Sequence, residues 1–153
     1  MNEFEREELL LGKDAMEKLR RSRVAVFGVG GVGSYVAEAL ARSGVGALDL
    51  IDADTVSLSN INRQLIALHG TVGQYKADVA AERIKQINPN CEVTAHRVFY
   101  LPETADRFDF RRYDYAADAI DTVTGKIEIV LRAKECGTPV ISAMGAGNKL
   151  CAT

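Results

Sequence analysis

The stretch from position 24 to position 54, VAVFGVGGVGSYVAEALARSGVGALDLIDAD, constrains this chain more than any other. It opens on four apolar residues, 24–27, the pattern of a short strand covered on both faces. Gly28, Gly30 and Gly33 follow in G-x-G-x-x-G spacing. The first permits a sharp turn, the second lets a phosphate approach the backbone, and the third lets helix and strand pack closely. Val32, Tyr35, Val36, Ala39 and Leu40 then recur at i, i+3, i+4, i+7 and i+8, which predicts a helix with that apolar stripe. A second strand, 48–51, delivers Asp52 about twenty residues after the glycines, where a carboxylate accepts hydrogen bonds from ribose hydroxyls. The bland alternative is a tight strand-to-helix turn without a ligand. Flanked by strand, helix, strand and acid, the fingerprint instead predicts a ligand with phosphates and a ribose.

The rest of the chain repeats this alternation. Before the first strand, Ala15, Met16 and Leu19 make a small apolar face on a charged helix, and residues 9–11 are an apolar patch with no local cover. Residues 1–22 therefore read as a helical segment and residues 23–153 as a Rossmann-like nucleotide-binding domain. Lys76 opens a helix carrying Val79, Ala80, Ile84 and Ile87, which Asn88-Pro89-Asn90 ends. A third strand at 92–98 precedes a polar helix running to about Phe110. A fourth strand at 115–120 puts Asp121 at its C-terminal end. Thr122 or Thr124 caps a helix bearing Ile127, Val130 and Leu131, and a fifth strand spans 140–143. Right-handed crossovers then imply an α/β, doubly wound, mainly parallel sheet in the order 3-2-1-4-5. Gly145, Gly147 and Asn148 read as a turn leaving the last strand, with the end at Thr153 soon after. The expectation is a chain truncated at its C-terminus.

Composition narrows the function classes. At 153 residues the chain is one domain with a sizeable core, and 47% hydrophobic with 26% charged residues is globular usage. A net charge of −2 gives no global attraction to nucleic acid or anionic membrane, although a local or dimeric basic patch stays open. No apolar run reaches a bilayer span and MNEFEREELL is not a signal peptide, so no membrane partner is expected and the cytoplasm is the expected location. Cys91, Cys136 and Cys151 form no C-x-x-C pair, which argues against a disulfide framework or a zinc site. Arg107, Arg111 and Arg112 alternate with Asp106 and Asp109 as a solvated mixed-charge face.

The connection after Asp52 is long for an α/β unit and dense in nucleotide chemistry: Asp54, Asn60, Asn62, Arg63, Gln64, His69 and Lys76. It begins at a strand C-terminus, on the ligand side of a parallel sheet. Arg63 can grip phosphate oxygens bidentately and Lys76 can act on them as a point charge. His69 reads as a structural histidine, since no second metal ligand stands at a fixed spacing. Carboxylates facing cations around a phosphate site suit Mg2+-assisted nucleotidyl transfer, whereas nothing marks a nicotinamide site or its proton donor. The residues favour ATP over NAD, with an NAD-dependent oxidoreductase or a non-catalytic nucleotide-binding module as alternatives.

GVGGVG, IDADTVSLSNINRQ, TVGQYK and DAID, in this order, resemble the ThiF/MoeB/ubiquitin-activating family of ATP-dependent adenylating enzymes. REELLLG, SYVAEALARSGVG, NINRQLIALH, AERIKQINPNC and GAGNKL are most similar to its tRNA threonylcarbamoyladenosine dehydratase branch (TcdA/CsdL). The resemblance implies an ATP site in which Gly28, Gly30 and Gly31 line the phosphates and Asp52 holds the ribose. Asn60, Arg63 and Lys76 would contact the triphosphate, with Asp54 and Gln64 beside them. Asp121 would bind Mg2+ or position the α-phosphate, and Arg6 would reach across a homodimer to the neighbour's ATP. The implied reaction is adenylation of a carboxylate, that of threonylcarbamoyladenosine in tRNA, followed by cyclisation with loss of water. The alternative within the family is adenylation of a ubiquitin-like sulfur carrier, with sulfur-transfer proteins among the partners. Family members continue for roughly another hundred residues, of the order of a further domain.

Overall fold

The computed structural model describes residues 3–145; Gly147, Asn148, Cys151 and Thr153, which the sequence reading touched, lie outside them. Five parallel strands form one sheet in the expected order, β3-β2-β1-β4-β5. They are β1 (Arg23–Phe27), β2 (Ala47–Ile51), β3 (Glu92–His96), β4 (Tyr115–Asp118) and β5 (Val140–Ser142). Alternate side chains of the central strands feed two cores, because successive residues of a strand point to opposite faces. Val24, Val26, Leu48 and Leu50 meet α3 (Gly33–Arg42) and α4 (Lys76–Ile87) through Ala37, Ala41, Ala80 and Ile84. On the other face Ala25, Phe27, Ile51 and Ala116 pack with Tyr100, Phe108 and Phe110, and with Ile129 and Ala133 of α5 (Val123–Cys136). Phe27 stacks on Phe110 at 5.5 Å and meets Tyr100 edge-on at 4.7 Å.

Several local expectations are corrected. α3 buries Gly33, Ser34, Ala37 and Ala41, whereas Val32, Tyr35 and Ala39 of the expected stripe are exposed. The helix lies so close to β1 that a Cβ on Gly33 would stand 1.7 Å from the Gly28 carbonyl oxygen, so its small side faces the sheet. α5 likewise buries Gly125, Ile129 and Ala133, leaving Ile127, Val130 and Leu131 exposed. Thr122 occupies its N-cap without a side-chain capping bond. The polar helix before β4 is absent: short 3₁₀ turns at Ala105–Arg107 and Phe110–Arg112 replace it. Ala105, Phe108, Phe110 and Tyr113 all enter the aromatic core, a spacing that no α-helix presents on one face, and the Asp109 carboxylate caps the second turn through the Arg111 N–H. β4 stops at Asp118, so Asp121 stands in the following loop rather than at the strand end.

The N-terminal α1 (Glu5–Leu11) and α2 (Lys13–Arg21) lie by the start of β2, at the end of the sheet opposite the glycine turn. Met16 is fully buried, and both it and Phe4 approach Gly44, just past the C-terminus of α3. Leu9 and Leu10 are each 84% exposed, as the uncovered apolar patch of the sequence suggested.

β2 is buried at all five positions, Asp49 included. Its carboxylate accepts from the Tyr113 hydroxyl (2.9 Å) and from Arg23 (2.7 Å), and faces His96 Nε2 at 3.3 Å. Burial alone would raise its pKa; His96, Tyr113 and Arg23 overcome that and hold the carboxyl below the ordinary range. Asp49→Asn should destabilise the fold by about 3 kcal/mol, the low end for breaking a buried pair, because Arg23 keeps Glu92 at 2.6 Å. A depressed folded pKa gives stability that is complete above the unfolded value of about 3.9 and lost as pH falls through the folded one. In denaturant titrations the gap between wild type and variant should therefore be widest near neutrality and close below about pH 4.

Candidate functional site

The carboxyl ends of all five strands open into one cleft of about 800 Å³. Its floor is the turn leaving β1. Gly28 adopts φ +85°, and a Cβ there would meet the Ala119 carbonyl oxygen at 2.7 Å, so the loop after β4 lies directly on the turn. Gly30 and Gly31 are different: a Cβ would find only Gln64 Nε2 at 3.5 Å or Arg63 Cγ at 3.6 Å. Their open sides form a cradle that ligand atoms can fill.

Asp52 ties this turn to β2. Its Oδ2 accepts the Val29 N–H at 2.7 Å and its Oδ1 the Asp54 N–H at 2.8 Å. Burial pushes the carboxyl above its ordinary value, against these two donors and the nearby Lys76. Each oxygen keeps a second lone pair, so the same group can receive ribose hydroxyls.

The long connection after β2 is folded back on itself. Val56 N–H donates to Gln74 and Gly73 N–H to Val56, each at 2.8 Å, and Thr55 bridges Tyr75. This returns Lys76 to Asp54: the Lys76 N–H donates to the Asp54 carbonyl (2.9 Å) and Nζ to its carboxylate (3.0 Å). The Lys76 side chain is 8% exposed, a near-buried cation at the cleft wall. Arg63 is exposed beside Gly31, its Nη1 held by the Ser59 carbonyl (3.1 Å) and the Asn62 side chain (2.9 Å). Gln64 is buried and its Oε1 has no hydrogen-bond partner. An orphaned amide oxygen in a nucleotide-sized cleft is a feature that a ligand donor or water would satisfy.

The cleft thus gathers Gly28, Gly30, Gly31, Asp52, Asp54, Arg63, Gln64, Lys76 and Asp121 from the sequence-derived set. Gly33 lies beneath the turn as a packing residue, and Asn60 is buried with its Oδ1 accepting the Ser57 N–H at 3.0 Å. Arg6 is exposed on α1, at the far end of the 10-residue α3, which spans about 15 Å. The sequence reading missed the apolar wall Val98–Leu101 and the rim at Ala119, Ile120 and Met144. The exits of β3, β4 and β5 were the available signal, since ligands sit beyond strand C-termini. Among the described residues no group of three His, Cys, Asp or Glu side chains is arranged to hold a metal ion. The cleft carboxylates Asp52, Asp54 and Asp121 are not grouped to hold a metal by themselves, so a Mg2+ ion would need phosphate oxygens among its ligands.

The ThiF family pattern matches residues 4–149. The chain belongs to the ThiF family. This ThiF-family chain is 51% identical over 149 residues to the tRNA threonylcarbamoyladenosine dehydratase of Bacillus subtilis, covering 97% of itself and 59% of that relative. The Escherichia coli dehydratase TcdA, solved in complex with ATP, superposes with a TM-score of 0.93 at 41% identity, covering 97% of this chain and 61% of that one. The same protein in complex with AMP gives 0.92. An Aspergillus niger adenylyltransferase and sulfurtransferase, uba4, is 38% identical over 133 residues, 87% of this chain and 27% of its own length. The ThiF-family chain therefore spans between half and three fifths of the length of the bacterial dehydratases it matches.

Two glycine substitutions separate folding from binding in this site. Gly33→Ala puts a methyl 1.7 Å from a backbone oxygen and should cost at least about 3 kcal/mol in thermal or denaturant unfolding. Gly31→Ala meets only Arg63, no nearer than 3.6 Å, and should change stability by less than about 0.5 kcal/mol.

Proposed function

We propose that this cleft binds ATP and that the chain adenylates the carboxylate of threonylcarbamoyladenosine in tRNA, leading to its cyclisation. The observation carrying this reading is the open Gly30–Gly31 cradle with Arg63 on its rim and Lys76 in its wall, in a chain alike over 97% of its length to a dehydratase solved with ATP. In this reading Gly28, Gly30 and Gly31 line the phosphates and Asp52 holds the ribose. Arg63, Lys76 and Gln64 stand where they would meet the triphosphate, with Asp54 orienting Lys76. Asn60 would act from behind, by shaping the turn that carries Arg63.

In the reaction a carboxylate oxygen of the substrate attacks the α-phosphorus of ATP, and the bond to the bridging oxygen of pyrophosphate breaks. The product is an acyl adenylate. Ring closure within the modified base then expels AMP, so the carboxylate loses an oxygen that it cannot expel as hydroxide near neutral pH. Arg63 and Lys76 offset charge on the phosphates. Mg2+, held by Asp121 and phosphate oxygens, would supply Lewis-acid stabilisation of that charge. Arg6 is not among the residues lining the cleft of its own copy, and in a homodimer it would serve the neighbour's ATP. No helix among the described residues is long and apolar enough to cross a membrane, in keeping with a cytoplasmic tRNA enzyme.

The likeness to uba4 favours a second reading, adenylation of the C-terminus of a ubiquitin-like sulfur carrier, with sulfur-transfer proteins as further partners. ATP–pyrophosphate exchange stimulated by tRNA bearing threonylcarbamoyladenosine supports the first reading; stimulation only by a carrier protein ending in Gly-Gly replaces it with the second. Calorimetric titration should give ATP binding strengthened by Mg2+ and none of NAD, and the opposite preference would make the chain an NAD protein. Gly31→Ala should weaken ATP at least tenfold without unfolding the chain. Asp121→Ala should lower exchange about a hundredfold, the scale for removing one preorganised electrostatic contact to a transition state. Undiminished exchange in that variant would remove Asp121 from the site.

A further inference from the structure

Behind the cleft lies an ionic cluster, centred on the first residue of the DAID stretch, to which the nucleotide reading gives no role. Asp118, the last residue of β4, has a fully buried side chain, and Lys126 of α5 is 12% exposed. Lys126 Nζ donates to both carboxylate oxygens of Asp118 at 3.1 Å and to the Ala143 carbonyl at 2.7 Å. An ammonium has three N–H donors, so all three are committed. The Ser142 hydroxyl completes the carboxylate by donating to Oδ2 at 2.5 Å, and Ile120 N–H donates to Oδ1 at 3.2 Å. The Ala143 N–H closes the circuit on the Asp118 carbonyl at 2.8 Å. Gly125 lets α5 come near enough, for a Cβ there would stand 2.6 Å from Ile120 Cδ1 and 2.8 Å from Thr122 Oγ1.

The two segments joined by this cluster both line the cleft. One is the loop Ala119 to Thr122, which carries Asp121 and rests on Gly28; the other is the β5 exit, Ala143 to Gly145. Among the described residues β5 is an edge strand bonded to β4 alone. We propose that Lys126 is a positioning residue: by joining Asp118 to the Ala143 carbonyl, it fixes the loop bearing Asp121 against the β5 exit and so sets one wall of the cleft. The proposal rests on the ATP reading for its catalytic consequence, and on geometry alone for the clamp.

The test uses the full chain. Because Lys126→Met by itself strands a buried carboxylate, the working variant is the neutral pair Asp118→Asn with Lys126→Met, and Lys126→Arg is the conservative rescue. Hydrogen exchange of the Ile120 and Ala143 amides should quicken at least tenfold in the neutral pair, with the amides of β1 and β2 within twofold. Lys126→Arg should restore both. In pyrophosphate exchange the neutral pair should lose at least tenfold in kcat with KM for ATP changed less than threefold, because the glycine turn is anchored separately by Asp52. Uniform acceleration of all amides would reduce the cluster to general stability and overturn the proposal, as would unchanged exchange at Ile120 and Ala143. Loosened loops in a protein whose wild type performs no pyrophosphate exchange would keep the clamp and refute the adenylation reading.

Discussion

Gly33 and the carbonyl of Gly28 approach so closely that one methyl group cannot stand between them. Much else in the structure depends on that contact. It draws the N-terminus of α3 down onto the end of β1, and the turn between them has its residues 30 and 31 facing outward rather than into the core. It also brings the helix to the sheet chiefly through its smallest residues, Gly33, Ser34, Ala37 and Ala41, with Val36 and Leu40 partly buried beside them and Tyr35 exposed. Gly28, at φ +85°, then leaves no room for a side chain under the Ala119 carbonyl, so the loop after β4 can settle on the turn. Two strand exits thus share one floor. The cleft is the residue of this packing: the space left where five strands end and the turn keeps its surface bare.

The carboxylates of buried Asp49 and Asp118 and of half-buried Asp52 divide according to their partners. Asp49 is matched by Arg23, Tyr113 and His96 and held in its charged form, and it sits at mid-strand, inside the fold. Asp118 is matched by Lys126, Ser142 and a backbone N–H. Asp52 is matched less well: it has two backbone donors and Lys76 at longer range, and burial wins, raising its pKa. The least compensated of these three carboxylates is the one that faces the cleft. Hydroxyl donors from a ribose would supply what the protein leaves out, and they favour the charged form. The same reasoning applies to Gln64, whose orphaned Oε1 is tolerable in a folded protein only where something else can reach it.

Strand order, the glycine turn and most of the cleft residues were legible in the sequence because each leaves a local signature. Apolar runs of strand length, the spacing of Gly28, Gly30 and Gly33, and the acid at the end of β2 are all read within about thirty positions. What stayed hidden was set by contacts between distant segments. Which face of α3 or α5 is buried depends on how closely the helix meets the sheet, and periodicity alone picked the larger residues, such as Tyr35 and Ile127, that end up exposed. The 3₁₀ turns before β4 arise because Phe108 and Phe110 both reach Phe27, a tertiary demand that overrides the local polar pattern. No local signal marked Asp49 or Lys126; their roles follow only from the fold, which places Arg23 and Tyr113 around the one and Asp118 beside the other.

The lining of the cleft also bears on which nucleotide suits it. Its charges are concentrated where the turn after β1 meets the long connection, at Arg63, Lys76, Asp52 and Asp54. Beyond them the wall is apolar, with Val98, Phe99, Leu101, Ile120 and Met144, and Asp121 stands at the rim. A dinucleotide would carry its second ribose and a nicotinamide ring away from the pyrophosphate, and hydride transfer asks for an acid or base beside that ring. Of the side chains here, the cations gather beside the glycine turn and Asp121 stands apart from them. That distribution suits chemistry at phosphorus, in which the protein positions and neutralises but contributes no atom of its own.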